Sequence, residues 1–389
     1  MSTDTTTIDR SSDQPYGVLA PEEVSRIPAR PLGSLSDYVA LQLPSAITAV
    51  RGGSTTITHT AKEFDALAEG IHDIEQLRGK DLALALFDAT ALASALRVLQ
   101  STTSADTPTP ETPLLHELIK KLGRQRGLVP YLSYEGLIYS NPIDTDPRAF
   151  LGGDFGRQEL LFYKLHALIE KEFLLQLPIV HKVIQARNAT TDALPTDSVL
   201  GGLDALHSIL SRVSTYMLEF HKLIANAKEG PFNAARPFWN ATEKYQGPSG
   251  KFSAGYFLMD AVLSGRDPTM RKFLKSKLHE LSYYPNTTLE DDGFAGQDDM
   301  LTVFSEVQRG HDMTTMTLEL NDPSANVRLQ EVLGLAHKNR KIHMSLASGF
   351  IPEAFKNGES GTGEQSMSMR EYLEQPRDIY FKLFNKPKP

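Results

Sequence analysis

Apolar residues recur at three- and four-residue intervals along most of this chain, and no stretch alternates apolar and polar with the two-residue period of a half-buried strand. Phe64, Leu67, Ile71 and Ile74 show the spacing early. Phe162, His166, Ile169 and Phe173 repeat it in the middle, and Val332, Leu335, Ala336, Asn339, His343, Leu346, Ala347 and Phe350 do so near the end. A chain patterned this way buries helix stripes against one another, so the fold class is all-α. The spacing predicts helices over about 62–77, 81–100, 113–122, 157–188, 196–227, 230–239, 253–263, 267–281, 299–320, 324–351 and 368–384. Gly123 reads as a stop, and Pro178 either kinks or splits its helix. The Ala/Leu-rich stretch 81–100 carries Asp88 and Arg97, which mark it as a buried helix of a soluble protein.

Punctuation divides the chain. Residues 1–32 are rich in Ser, Thr, Asp and Pro and read as a mobile tail. Gly152–Gly156 (GGDFG) reads as a hinge between two bodies, 33–150 and 151–389. Two bodies also suit a length of 389 residues.

The chain has no cysteine, which excludes disulfides, thiolate metal sites and a Cys nucleophile. Any bound iron or zinc must rely on His and carboxylates. Lys and Arg total 40 against 48 Asp and Glu, a net charge of −8 that argues against generic nucleic-acid binding. No run of about 18 uninterrupted apolar residues exists, so no membrane span is expected. The first residues have neither a basic nor an apolar region, so no signal peptide is expected, and a cytoplasmic location follows as the expectation.

The common catalytic motifs do not occur. No HExxH or GxSxG is found. Gly247–Ser253 (GPSGKFS) has the wrong spacing for a phosphate loop and places Phe252 where Ser or Thr is needed. Two histidines stand out instead. His343 sits on a mainly apolar helix face, the setting that a proximal haem ligand requires and that a hydrogen-bonded core histidine also occupies. His166 faces inward on its own stripe, with the same two readings. Arg236 lies among Phe232, Phe238 and Trp239, where a guanidinium can clamp a carboxylate, stack on the indole or reach out to solvent.

Taken in order, six segments over about residues 110–385 resemble the indoleamine/tryptophan 2,3-dioxygenase superfamily, in its indoleamine-like branch, which includes the haem enzyme of pyrrolnitrin biosynthesis. They are LVPYLSYEGLIYSNP, LLFYKLHALIE, FHKLIANAKEGPFNAARPFW, GPSGKFSAGYFLMDAVLSG, RKIHMSLASGFIP and GTGEQSMSMREYL. The resemblance implies a large helical haem-binding domain, with the smaller N-terminal domain capping its distal pocket. It implies haem b held through iron by His343, and an oxidoreductase, a dioxygenase that inserts O2 into the indole ring of tryptophan or a related indole to give a kynurenine-type product. Arg236 would hold the substrate carboxylate, Phe232 would stack on the indole and Phe162 would line the pocket. Tyr134, Leu137 and Ile138 would roof it, and Ser253, Ala254 and Gly255 would lie over the haem plane. Gly361, Thr362 and Gly363 would close over substrate. His166 stands where the indoleamine enzymes usually carry serine, and would accept a hydrogen bond from the indole N–H.

This chain departs from the family pattern at several points. The closing loop reads GTGEQ rather than GTGG and follows His343 by only 18 residues, as in the pyrrolnitrin enzyme. Lys251-Phe252 precedes Ser253. These departures admit a second outcome, a specialised-metabolism enzyme that mono-oxygenates or rearranges an aromatic substrate. A third reading is a haem-binding or helical interaction protein without turnover.

Overall fold

The computed structural model describes residues 30–102, 110–126, 132, 134–143, 145–190, 194–224, 231–239, 253–281, 297–350 and 369–385. Every regular element among them is helical. The first half holds α1 (Ser34–Leu41), α2 (Leu43–Arg51), α3 (Ile57–Glu69), a 3-10 turn (Ile74–Gln76), α4 (Gly79–Thr102), α5 (Pro113–Arg126) and a π-helical turn (Glu135–Ser140). The second holds α6 (Gly153–Asn188), α7 (Thr196–Ile224), α8 (Pro231–Trp239), α9 (Ala254–Ser264), α10 (Pro268–Leu281), α11 (Gln297–Arg309), α12 (Met313–Leu320), α13 (Pro323–Phe350) and α14 (Met369–Phe384).

Several expected boundaries shift. Gly123 does not stop α5, which runs on to Arg126. Leu115, Leu118 and Leu122 are buried along it, and that packing outweighs a glycine cost of about 1 kcal/mol. Pro178 splits nothing and lies inside one 36-residue helix, α6. The segment 152–156 caps and opens α6, with Gly153 at φ 60°. A Cβ on Gly156 would fall 2.2 Å from the Leu151 carbonyl oxygen, so the turn closes only on glycine. The expected stretch 299–320 is two helices, because the buried Asp312 side chain caps α12 by accepting from Thr315 N.

In the first half, α4 is the spine against which α1, α2, α3 and α5 pack. By length and composition it is apolar enough to cross a membrane, but 89% of its apolar window is buried in protein. Asp88 on α4 is fully buried and pairs with Arg148 at 3.0 Å, which fixes the 141–150 segment on the helix. Burial lifts the Asp88 carboxyl to about 6, against the pull of Arg148. In the second half α7 packs against both α6 and α13, and α13 against α14. A single cluster of buried apolar side chains runs through both halves.

Candidate functional site

Helix α6 supplies one wall of the candidate site. Phe162 and His166 are four residues apart and share a face, and both remain partly accessible between buried Tyr163, Leu165 and Ile169. His166 Nδ1 lies 2.9 Å from the Phe162 carbonyl oxygen, so this nitrogen carries the proton and donates. Nε2 is left as an acceptor. Burial pushes the imidazole down to about 4, so the ring is neutral near pH 7.

Aromatic rings surround it. The Phe162 ring centroid is 4.2 Å from His166 and 5.4 Å from Trp239, stacked with 11° between the latter planes. Phe220 of α7 approaches Phe162 at 6.4 Å. Tyr134 meets His166 edge-on at 6.2 Å. Tyr134, which opens the π-helical turn, and Leu137 and Ile138 within it are all buried. The structure therefore brings Tyr134, Phe162 and His166 together.

Glu170 joins this segment to α9. Tyr134 Oη donates to its carboxylate at 3.0 Å and Tyr139 Oη at 2.6 Å. Gly255 N donates at 3.3 Å, and the Ser253 side chain also hydrogen-bonds to it. Burial raises the Glu170 carboxyl above its usual range. The sequence reading missed Glu170. Its one sequence signal was a carboxylate four residues after His166 on the same stripe.

Ser253, Ala254 and Gly255 open α9 and are buried. Ser253 caps the helix by accepting from Tyr256 N at 3.1 Å. A Cβ on Gly255 would stand 2.1 Å from Phe173 Cδ2, so only glycine lets this backbone lie on α6.

His343 of α13 lies on the other side. Its ring sits 5.7 Å from Tyr256, the planes 29° apart. Nδ1 is buried, and neither ring nitrogen has a hydrogen-bond partner among the described residues. Burial, with smaller contributions from the charges of Arg340, His166 and Lys277, lowers the pKa of His343 to about 3. His166 and His343 thus lie within electrostatic reach of each other. The turn beneath His343 is held firmly. Arg340 donates to both oxygens of Asp260 at 2.8 and 2.6 Å, Tyr380 Oη donates to Asp260 at 2.6 Å, and Arg340 lies 4.4 Å over the Tyr256 ring.

Arg236 is half-buried on α8, next to buried Phe238 and Trp239. Helix α4 fixes that helix, with Arg97 donating to the Pro237 carbonyl at 3.0 Å and Ser94 to that of Phe238. Phe232 shares α8, but its side chain and Gly361, Thr362 and Gly363 lie outside the described residues. An open cleft of about 760 Å³ between α3 and α5, lined by Ile71, Arg78, Leu118 and Lys121, is separate from all these residues.

Among the described residues no group of three or more His, Asp or Glu is arranged to hold a bare metal ion. His343 offers one neutral nitrogen donor, and the described residues supply no second protein donor set beside it, the pattern expected where a macrocycle provides the other donors to iron. A neutral imidazole whose buried Nδ1 has no partner among the described residues, with small residues at 253–255 on the neighbouring helix, fits haem. No family model matches the chain, and no curated protein matches it.

Proposed function

We propose that the chain is a haem-dependent oxygenase of a flat aromatic substrate bearing an N–H group, tryptophan or a related indole, as its resemblance to the indoleamine/tryptophan 2,3-dioxygenases implies. The observation that carries this reading is His343, a half-buried, neutral imidazole whose buried Nδ1 has no hydrogen-bond partner among the described residues. Leaving such a group unsatisfied costs about 1–3 kcal/mol, which a bond from His343 to haem iron would offset. Haem bound there supplies O2 binding and activation.

The remaining work falls to side chains. Phe162, backed by Trp239 and Phe220, offers a ring face on which an indole can stack. Neutral His166 accepts the indole N–H at Nε2 and so fixes which edge of the ring is presented. Arg236 holds the amino-acid carboxylate through two parallel N–H donors. Tyr134, Leu137 and Ile138 keep water from the reacting face. The gain is mainly positional, with little acid–base demand. The 18-residue spacing from His343 to the Gly-Thr-Gly loop favours a second outcome, transfer of a single oxygen atom or rearrangement.

Reconstitution tests the reading. The full chain with added haem should develop a Soret band, and His343→Ala should fail to hold it. With reductant, O2 and L-tryptophan or substituted indoles, product mass then distinguishes two oxygen atoms gained from one or none. A wild-type chain that binds no haem, or a His343→Ala chain that binds it equally well, would refute the assignment.

A further inference from the structure

A line of rings leaves the candidate pocket and ends on a carboxylate that the proposed reaction does not use. Phe162 stands between His166 and Trp239, at 4.2 and 5.4 Å. The Trp239 ring lies 5.8 Å from that of Tyr163. Trp239 Nε1–H donates to Tyr163 Oη at 2.9 Å, and Tyr163 Oη–H donates to Glu159 Oε1. Trp239, Tyr163 and Glu159 are all buried. The Glu159 carboxylate also accepts from Phe150 N at 3.0 Å and Leu151 N at 2.9 Å, which holds it in place against the phenol.

We propose that Trp239, Tyr163 and Glu159 form a one-electron relay that moves an oxidising equivalent from the pocket wall into the helical core. A one-electron oxidant in the pocket takes an electron from the Trp239 indole, which keeps its N–H. Tyr163 then passes an electron to Trp239 while its phenolic proton moves along the existing hydrogen bond to Glu159 Oε1. The products are a neutral tyrosyl radical, a protonated Glu159 and a restored Trp239. An external one-electron reductant reverses the change, and Glu159 returns the proton. A phenol that loses an electron without its proton becomes a strongly acidic cation in an apolar interior, which is costly. A carboxylate already hydrogen-bonded to the O–H avoids that state. Burial raises the proton affinity of Glu159, its carboxyl lying at about 7, which suits it to accept the proton.

The identity of the oxidant in the cell rests on the haem reading; the relay itself does not. The test therefore uses the haem-free full chain. Trp239 is the only tryptophan, so red-edge laser photo-oxidation addresses it selectively. In the wild type the indolyl absorption should decay as tyrosyl absorption grows, at a rate independent of protein concentration and slowed in deuterium oxide. Tyr163→Phe should abolish the coupled growth, and Glu159→Gln should slow it about tenfold or more, a barrier increase of ~1.4 kcal/mol. Circular dichroism checks that each variant folds. If Tyr163→Phe does not fold, the wild-type isotope effect and Glu159→Gln decide. Absence of tyrosyl growth in the wild type, or the same growth in folded Tyr163→Phe, would overturn the relay. Loss of haem binding would leave it standing, because no haem is present.

Discussion

The Tyr134 hydroxyl donates to Glu170 at 3.0 Å, and both side chains are buried. That one contact joins the π-helical turn to α6, and the Glu170 carboxylate carries the link on to Gly255 N of α9. Three segments distant in sequence therefore meet on one carboxylate beside His166.

Removing that carboxylate should be costly. Glu170→Ala leaves the hydroxyls of Tyr134 and Tyr139 and the Gly255 N–H facing a void, and should lower stability by about 3 kcal/mol. Glu170→Gln keeps one acceptor oxygen, so its loss should be smaller, about 1 kcal/mol. Urea unfolding of the two variants against wild type measures both. Equal stability of wild type and Glu170→Ala would show that the contacts contribute nothing.

Gly255 should tolerate no side chain. In Gly255→Ala the new Cβ would stand 2.1 Å from Phe173 Cδ2 and 2.5 Å from Cγ, which forces α9 away from α6 at an expected cost of about 1–3 kcal/mol. Combining it with Phe173→Leu should recover part of the loss, because the two changes share one space. Thermal unfolding of the single and double variants gives the coupling, and strictly additive losses would contradict it.

Much of this fold was legible in the sequence. α13 and α14 lie within about a residue of their expected bounds, because a sustained helical period leaves one face to bury. His343 and His166 were legible for the same reason, as polar interruptions of apolar stripes. Glu170 was not. Its partners Tyr134, Tyr139, Ser253 and Gly255 are far away in sequence, and no local pattern marks a carboxylate that will accept from all of them. The Asp260–Arg340 pair was hidden in the same way, each residue reading as an ordinary charge on its own helix. The overrun of α5 past Gly123 shows the opposite error, a strong local signal overridden by the buried Leu115, Leu118 and Leu122.

Glu159 should make stability depend on pH. Its carboxyl rises from the ordinary 4.5 to about 7, chiefly through burial, against hydrogen bonds from Tyr163, Phe150 and Leu151. Raised folded affinity for a proton means the stabilising contribution is complete below about pH 4.5 and is lost as pH climbs through about 7. The full change is on the order of 3 kcal/mol. Asp88, lifted to about 6, acts in the same direction. Denaturant midpoints across this range should fall for wild type and fall less for Glu159→Gln, which cannot ionise. Parallel curves for the two proteins would remove Glu159 as the cause.

Trp239 supplies the final prediction, because it is the only tryptophan and stacks on Phe162, the ring next to His166. Its emission reports on the proposed haem site at His343. A haem bound there lies close enough to quench an indole efficiently by energy transfer, whereas haem adsorbed elsewhere on the surface quenches weakly and without saturation. Titrating haem into the haem-free chain should therefore quench Trp239 to a plateau at one haem per chain, in step with the growth of the Soret band. His343→Ala removes the imidazole whose buried Nδ1 has no partner among the described residues, while leaving Phe162 and Trp239 in place. It should shift the quenching curve to about tenfold or higher haem concentration, a loss of at least ~1.4 kcal/mol. His166→Ala should leave haem-induced quenching near the wild-type curve and should instead weaken quenching or recovery on adding an indole, because the acceptor for the indole N–H is gone. Superposable haem titrations for wild type and His343→Ala would place the iron ligand elsewhere in the chain.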